Sequence, residues 1–173
     1  MDDDTLLAYN TTMESSQQAE KLFSLIEECL KLSKLKLFDI DLISVTNGPG
    51  SFTGVRIGLA AALGLKMGIT AQIISLSNFQ VLAYKFLKEH PERQIEIVLD
   101  ARRDQIYYQK FDAQLTHLTE PKLLAKAAIE IAPMNNPNAK MLAEATKFFW
   151  QNKLYSDLEP LYIRQPDATV KST

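Results

Sequence analysis

Apolar and polar positions change period along this chain, and each change predicts an element. Residues 5–11 mix Leu6, Leu7 and Tyr9 with small polar residues and read as a short strand. From residue 17 to 32 the apolar positions (among them Leu22, Ile26, Cys29 and Leu30) recur at helical spacing. Ser15 and Gln18 stand three apart as a capping box for that helix. Leu42–Thr46 is a short apolar run with β-branched residues, so a buried strand. A helix follows over 52–68, then a strand over 72–75 and a helix over Asn78–Glu89, closed by His90-Pro91. Ile95–Asp100 and residues 105–112 alternate as a β-hairpin across Arg103-Asp104. Residues 113–134 fit short strands or a weak helix. Asn136-Pro137 makes an N-cap and first turn for a helix to Gln151, and residues 161–164 read as a last strand. Strand, helix and strand between residues 42 and 75 require a parallel pair with a right-handed crossover. The class is therefore α/β, with an antiparallel piece in the second half. A boundary near 75–92 divides the chain into lobes 1–76 and 77–173.

All six glycines fall between Gly48 and Gly68, so one stretch needs special backbone geometry or close approach. The 173 residues are 46% apolar and 23% charged, which excludes a disordered or collagen-like chain. No apolar run is long enough to span a bilayer, and the Met-Asp-Asp-Asp start lacks a signal peptide's basic and apolar regions. The expected compartment is the cytoplasm. A single cysteine and two histidines exclude a disulfide framework and the usual zinc spacings. Residues 1–50 carry nine acids and four bases, net −5, and residues 51–173 carry net +3. The basic residues of the second part are scattered, with Arg102-Arg103 the only adjacent pair among them, so no linear basic stripe marks a nucleic-acid binder.

The run Asn47-Gly48-Pro49-Gly50-Ser51-Phe52-Thr53-Gly54 leaves a strand and opens a helix, where α/β sheets bind ligands and free N–H groups face anions. It lacks the lysine of a P-loop, the third glycine of a dinucleotide fingerprint and the glycine before an esterase nucleophile. Gly48, Gly50, Ser51 and Thr53 are the candidate phosphate contacts, against the alternative that the turn only shapes the chain.

Continued through Val55-Arg56-Ile57-Gly58-Leu59-Ala60, this run closely resembles the signature of the TsaB family, accessory subunits of the bacterial machinery that makes threonylcarbamoyladenosine in tRNA. Asp100-Ala101-Arg102 resembles the family's hairpin, and Pro160-Leu161-Tyr162-Ile163-Arg164 its C-terminal Pro-x-Tyr-x-Arg end. The resemblance covers residues 5–168. It implies an actin-like ATPase (ribonuclease H-like) two-lobed fold and a chain without its own catalytic site. It also implies pairing with a TsaD-type catalytic subunit, beside a TsaE-type ATPase, with tRNA reached through the complex. A homodimer stays open. No nucleotide or metal is expected on this chain alone; ATP or ADP and magnesium belong to the assembled complex. Family members open with an apolar strand and an Asp-Thr-Ser turn that this sequence does not show, so the N-terminal lobe is expected to be incomplete and the isolated chain poorly stable. Gln18-Ala19-Glu20 also stands where the family has His-Ser-Glu.

Two further readings compete: a small-molecule or nucleotide kinase of the same fold, resting on the turn, and a peptidase, for which no zinc or serine motif speaks. His90 and His117 read as surface residues, Asp100 as structural at a strand end, and Cys29 as helix packing. Trp150, with Phe148 and Phe149, reads as core. Arg102, Arg103 and Arg164 read as solvated charge, with RNA phosphate as the sharper alternative. The two N-terminal helices are the expected partner surface, through Leu25, Leu32, Arg56, Leu59, Leu63, Lys66 and Met67. In the second helix Gly54, Gly58 and Gly64 are expected to face the protein's own core, with Leu59, Leu63 and Met67 opposite.

Overall fold

The computed structural model describes Met1 and residues 5–12 and 18–164. Its elements are α1 (Gln18–Ser33), β1 (Leu42–Thr46), α2 (Phe52–Met67), β2 (Gln72–Leu76), α3 (Asn78–Glu89), β3 (Ile95–Asp100), β4 (Gln105–Phe111), β5 (Lys122–Ala125) and α4 (Ala139–Gln151). β1 and β2 pair in parallel, Leu42 opposite Gln72 through Thr46 opposite Leu76, with α2 as the crossover. β3, β4 and β5 form an antiparallel sheet in that order. The hairpin register sets Ile95 opposite Phe111 and Asp100 opposite Ile106.

The core runs across both sheets. Ile74 and Leu76 of β2, Phe79 of α3, Ile97 and Leu99 of β3, and Phe149 of α4 each expose 1% or less and belong to one cluster. α3 enters that core because its start is fixed. Ser77 Oγ accepts from the Gln80 N–H, and the Gln80 side chain accepts from the Ser77 N–H, a reciprocal cap. β1 is less well covered. All five of its residues are half-buried, and Ser44 Oγ is buried with no hydrogen-bond partner. Beside it lies an open groove of about 430 Å³, walled by Leu7 and Ala8, by Leu22, Leu25 and Ile26 of α1, and by Leu42 and Ile43.

Several expected elements shift. Residues 5–11 form no strand; Thr5 makes an isolated bridge, and Asn10 donates to Glu28 of α1. The Ser15 end of the expected capping box lies outside the described residues. The ambiguous stretch resolves into β5 and a short 3-10 turn. The cap of α4 is Asn138, whose side chain accepts from the Met141 N–H, not Asn136. Residues 161–164 form a strap rather than a strand. α2 is also turned from the expected orientation. Leu59 and Ala62 are buried, whereas Gly64 has open space where a Cβ would stand. Gly58 does approach β1, a Cβ there meeting Val45 at 3.6 Å. A helix apolar on nearly every side leaves its core face to be chosen by β1 and β2, which take Leu59.

Candidate functional site

The glycine-rich turn is a joint between three segments. The Gly48–Pro49 bond is cis, and Gly48 sits at φ +110°, a conformation that glycine adopts without steric cost. A Cβ at Gly48 would lie 3.3 Å from the Leu161 carbonyl oxygen. The Gly48 carbonyl accepts from the Asn78 N–H (2.6 Å), and Asn78 Nδ2 donates to the Pro49 carbonyl (2.8 Å). The turn is thereby tied to the start of α3. On its other side the Leu161 N–H donates to the Asn47 carbonyl (2.8 Å), and Asn47 Nδ2 donates to the Glu159 carbonyl (3.1 Å).

Of the four candidate phosphate residues, Gly48 is buried, and Gly50, Ser51 and Thr53 are exposed. Ser51 Oγ accepts from the Gly54 N–H as the cap of α2, so the hydroxyl serves the helix. These contacts account for the shape of the turn from within the chain.

The strap continues past the turn. Arg56 Nε donates to the Tyr162 hydroxyl (2.7 Å), and its guanidinium lies 3.9 Å from the Phe52 ring centroid. Phe52 and Tyr162 stack with centroids 5.3 Å apart. Arg164 donates to the Gln105 side chain in β4.

The outer face of α1 and α2 is different in character. Met67 is 90% exposed, Leu32 67%, Phe23 52% and Leu63 44%, and α1 lies against α2. Lys66 is exposed beside Met67. Of the seven expected surface residues, Leu32, Leu63, Lys66 and Met67 are exposed, as that expectation requires. Three depart from it. Leu59 is buried beneath α2, Leu25 is half-buried and faces the groove, and Arg56 turns to Phe52 and Tyr162. Phe23, which helix periodicity assigned to the apolar face without marking it as exposed, stands about 180° around α1 from Leu32, nine residues on.

A family model described as TsaD, tRNA N6-adenosine threonylcarbamoyltransferase, matches residues 12–165. The chain belongs to that family. Several of its relatives carry the name TsaB. The chain is 34% identical to the Haemophilus influenzae tRNA threonylcarbamoyladenosine biosynthesis protein TsaB over 89 residues, covering 51% of this chain and 38% of that protein. It is 28% identical to Escherichia coli TsaB over 116 residues, 65% of this chain and 50% of the relative. The chain spans half or less of the length of these TsaB relatives. An uncharacterized Mycobacterium tuberculosis protein aligns over 94% of this chain and 82% of its own length at 24% identity. Among solved structures, YeaZ from Pseudomonas aeruginosa superposes with a TM-score of 0.73 at 18% identity, covering 90% of this chain and 87% of its own. A second, an uncharacterized protein with similarity to peptidase YeaZ from the same organism, reaches 0.71 at 19% identity over 84% of each chain. The fold is thus the actin-like, ribonuclease H-like α/β fold that the turn motif implied.

The other chemistry-bearing residues of this family member are engaged in local structure. His90 caps α3 with its ring 4.9 Å from Phe86, and His117 is exposed near Glu120. Asp100 Oδ1 accepts from the Arg102 N–H. Trp150 is partly buried and, with Phe148, packs against the core that holds Phe149, and its ring also stacks on Tyr155. Cys29 borders the groove, and burial pushes its thiol above the usual range, with Glu28 adding to the rise. The Lys110 ammonium, 2.9 Å from Glu96, holds that carboxyl below its ordinary range against the opposing effect of burial; the Tyr108 hydroxyl also donates to it. Among the described residues no three or more His, Cys, Asp or Glu gather as a metal site, and no helix is long and apolar enough to cross a membrane.

Proposed function

We propose that this chain acts as a non-catalytic partner subunit in threonylcarbamoylation of adenosine in tRNA, docking on a related TsaD-type subunit. Family membership supports the pathway. The observation that carries the role is the exposure of Leu63 and Met67 beside Lys66 on one face of α2, with Leu32 exposed near the end of α1. Large apolar side chains grouped on one helix face mark an interaction site in a folded protein. The glycine turn supports the non-catalytic part of the reading. No lysine stands where a P-loop carries its phosphate lysine, and the turn's serine serves as a helix cap. The TsaE-type ATPase and tRNA join this reading through the assembled complex, which is where nucleotide and magnesium act.

The test is co-purification with a TsaD-type subunit from the same organism, alongside circular-dichroism melts. Leu63→Glu with Met67→Glu buries two uncompensated charges in the contact. A buried unpaired charge costs several kcal/mol, so binding weakens by at least about a hundredfold. Both side chains are exposed, so the variant melts as the parent does. Retained binding, or loss of folding together with binding, refutes this face as the partner surface.

A further inference from the structure

A few of the basic residues that look scattered in sequence are joined by a chain of contacts to an unusual turn. Arg102, Arg103 and Asp104, which join β3 to β4, all lie in the left-handed region, at φ 59°, 55° and 53°. Left-handed backbone is disfavoured for residues with a Cβ, and Gly, Asn or Asp meets it most cheaply. Two consecutive arginines at the tip therefore cost backbone energy that a glycine or asparagine pair would spare. Both side chains are exposed. The turn is held firmly. The Gln105 N–H donates to the Arg102 carbonyl, the Lys126 N–H to the Asp104 carbonyl, and the Arg102 N–H to Asp100 Oδ1. Arg164 reaches the same place through Gln105. Two residues back along the strap, Tyr162 receives Arg56. The strap thus links Arg56 and Arg164 to the foot of the Arg102-Arg103 turn, and Lys126 joins the turn from the end of β5.

The same edge carries exposed aromatic surface. Phe52 and Tyr162, stacked beside Arg56, are 42% and 43% exposed. Cations that meet phosphates, interleaved with rings that stack bases, are what single strands require. A protein surface rich in carboxylates would use the cations and leave the rings idle.

We propose that this edge is a contact surface for a single-stranded segment of RNA. The phosphodiester backbone runs along Arg56, Arg164, Lys126 and the arginine turn, and a base stacks on the Phe52–Tyr162 pair. The choice of RNA among polyanions rests on the tRNA-modification role proposed above. Arg56 and Met67 are eleven residues apart on α2, about 16 Å along the axis, so this edge and the partner face are separate ends of one helix. With few cations and no deep groove, the chain alone binds in the non-specific range, with Kd of about 10⁻⁶ to 10⁻⁴ M.

The test is fluorescence anisotropy of a labelled single-stranded RNA of mixed sequence, titrated with the chain alone between about 50 and 200 mM salt. Each backbone contact to a single strand contributes about 0.7 to the slope of log affinity against log salt. Arg102→Gln with Arg103→Gln therefore lowers that slope by about 1.4 and weakens binding about tenfold. Tyr162→Leu weakens binding about fivefold or more with the slope unchanged, because stacking is not a salt-dependent contact. Arg102→Asn with Arg103→Asn loses affinity as the glutamine pair does while melting no lower than the parent, since asparagine suits the left-handed turn. A parent chain that does not bind RNA at the lowest salt overturns the proposal. So does an unchanged slope in the arginine variants, an asparagine pair that destabilises the fold, or polyglutamate that displaces the RNA as well as unlabelled RNA does. The assay contains no partner subunit, and co-purification on nuclease-treated material contains no RNA, so each reading fails on its own data.

Discussion

The two sheets of this molecule bury their strands to different depths. In the antiparallel sheet, four of the six β3 residues are buried, and the β4 positions Ile106, Tyr108, Gln109 and Phe111 are buried with them. In the parallel pair, β2 is buried at Ile74, Ser75 and Leu76, but every residue of β1 is half-exposed. Parallel strands are ordinarily covered on both faces. Here the groove beside β1 stays open, Ser44 Oγ lacks a partner, and the neighbouring helices carry Leu32, Leu63 and Met67 into solvent. The second half leaves fewer large apolar side chains in solvent, Leu118, Ile131, Tyr155 and Tyr162 among them. The elements α1, β1 and α2 fold on local signals yet leave part of their apolar surface to be satisfied from outside.

The largest expected effect tests that contrast. Phe149 is fully buried in the shared core, and Phe149→Ala costs about 3–5 kcal/mol through lost transfer energy and the cavity left behind. Leu25 borders an existing void, so Leu25→Ala costs only about 1 kcal/mol. Urea unfolding of both variants measures the gap, and equal losses would break the comparison.

The joint between the halves comes next. Gly48→Ala places a Cβ at positive φ and 3.3 Å from the Leu161 carbonyl, costing about 1–3 kcal/mol. The strap should loosen with it. The expected observation is a lower melting temperature together with faster proteolysis after residue 159. A variant as stable as the parent would mean that the turn is not the joint described.

The smallest effect is a pH dependence confined to the antiparallel sheet. Lys110 and Tyr108 hold the Glu96 carboxyl below its ordinary range. A carboxyl depressed on folding adds stability that is present above its unfolded pKa of about 4.3 and is lost as pH falls through the folded value. The effect is modest because the pair is partly solvated. Glu96→Gln should flatten the acid limb of the stability curve below about pH 4.3 without altering partner binding. An unchanged acid limb would remove Glu96 from the account.

Which parts of this were legible in the sequence follows from how local each determinant is. Leu42–Thr46, Asn78–Glu89 and Ile95–Asp100 appear with the expected bounds, because a β-branched run, the closing His90-Pro91 and a hairpin pattern are signals carried by neighbouring residues. The glycine turn was legible as special geometry, though its cis bond and its ties to Asn78 and Leu161 depend on segments far away in the chain. The orientation of α2 was not legible. Leu59, Leu63 and Met67 are equally apolar, and only contact with β1 and β2 separates the buried Leu59 from its exposed neighbours. The α4 start was misplaced because Asn136-Pro137-Asn138 offers two candidate caps, and the helix uses the second. The hairpin turn was legible at Arg103-Asp104, but its left-handed backbone was not, since only Asp104 favours that region and neither glycine nor asparagine stands at 102 or 103. The link of Arg56 and Arg164 to that turn depends on the strap, which the sequence presented as a strand.

The central claim is that α1 and α2 are the part of the molecule completed by a partner, while β3 and β4 are buried within the chain itself. Amide hydrogen exchange of the chain, alone and saturated with a TsaD-type subunit, tests this directly. The expected result is slowed exchange across α1 and α2, centred on Leu32, Leu63 and Met67, with β3, β4 and β5 exchanging as they do in the free chain. Protection concentrated in the antiparallel sheet, or exchange in α1 and α2 unchanged by the bound partner, would contradict it.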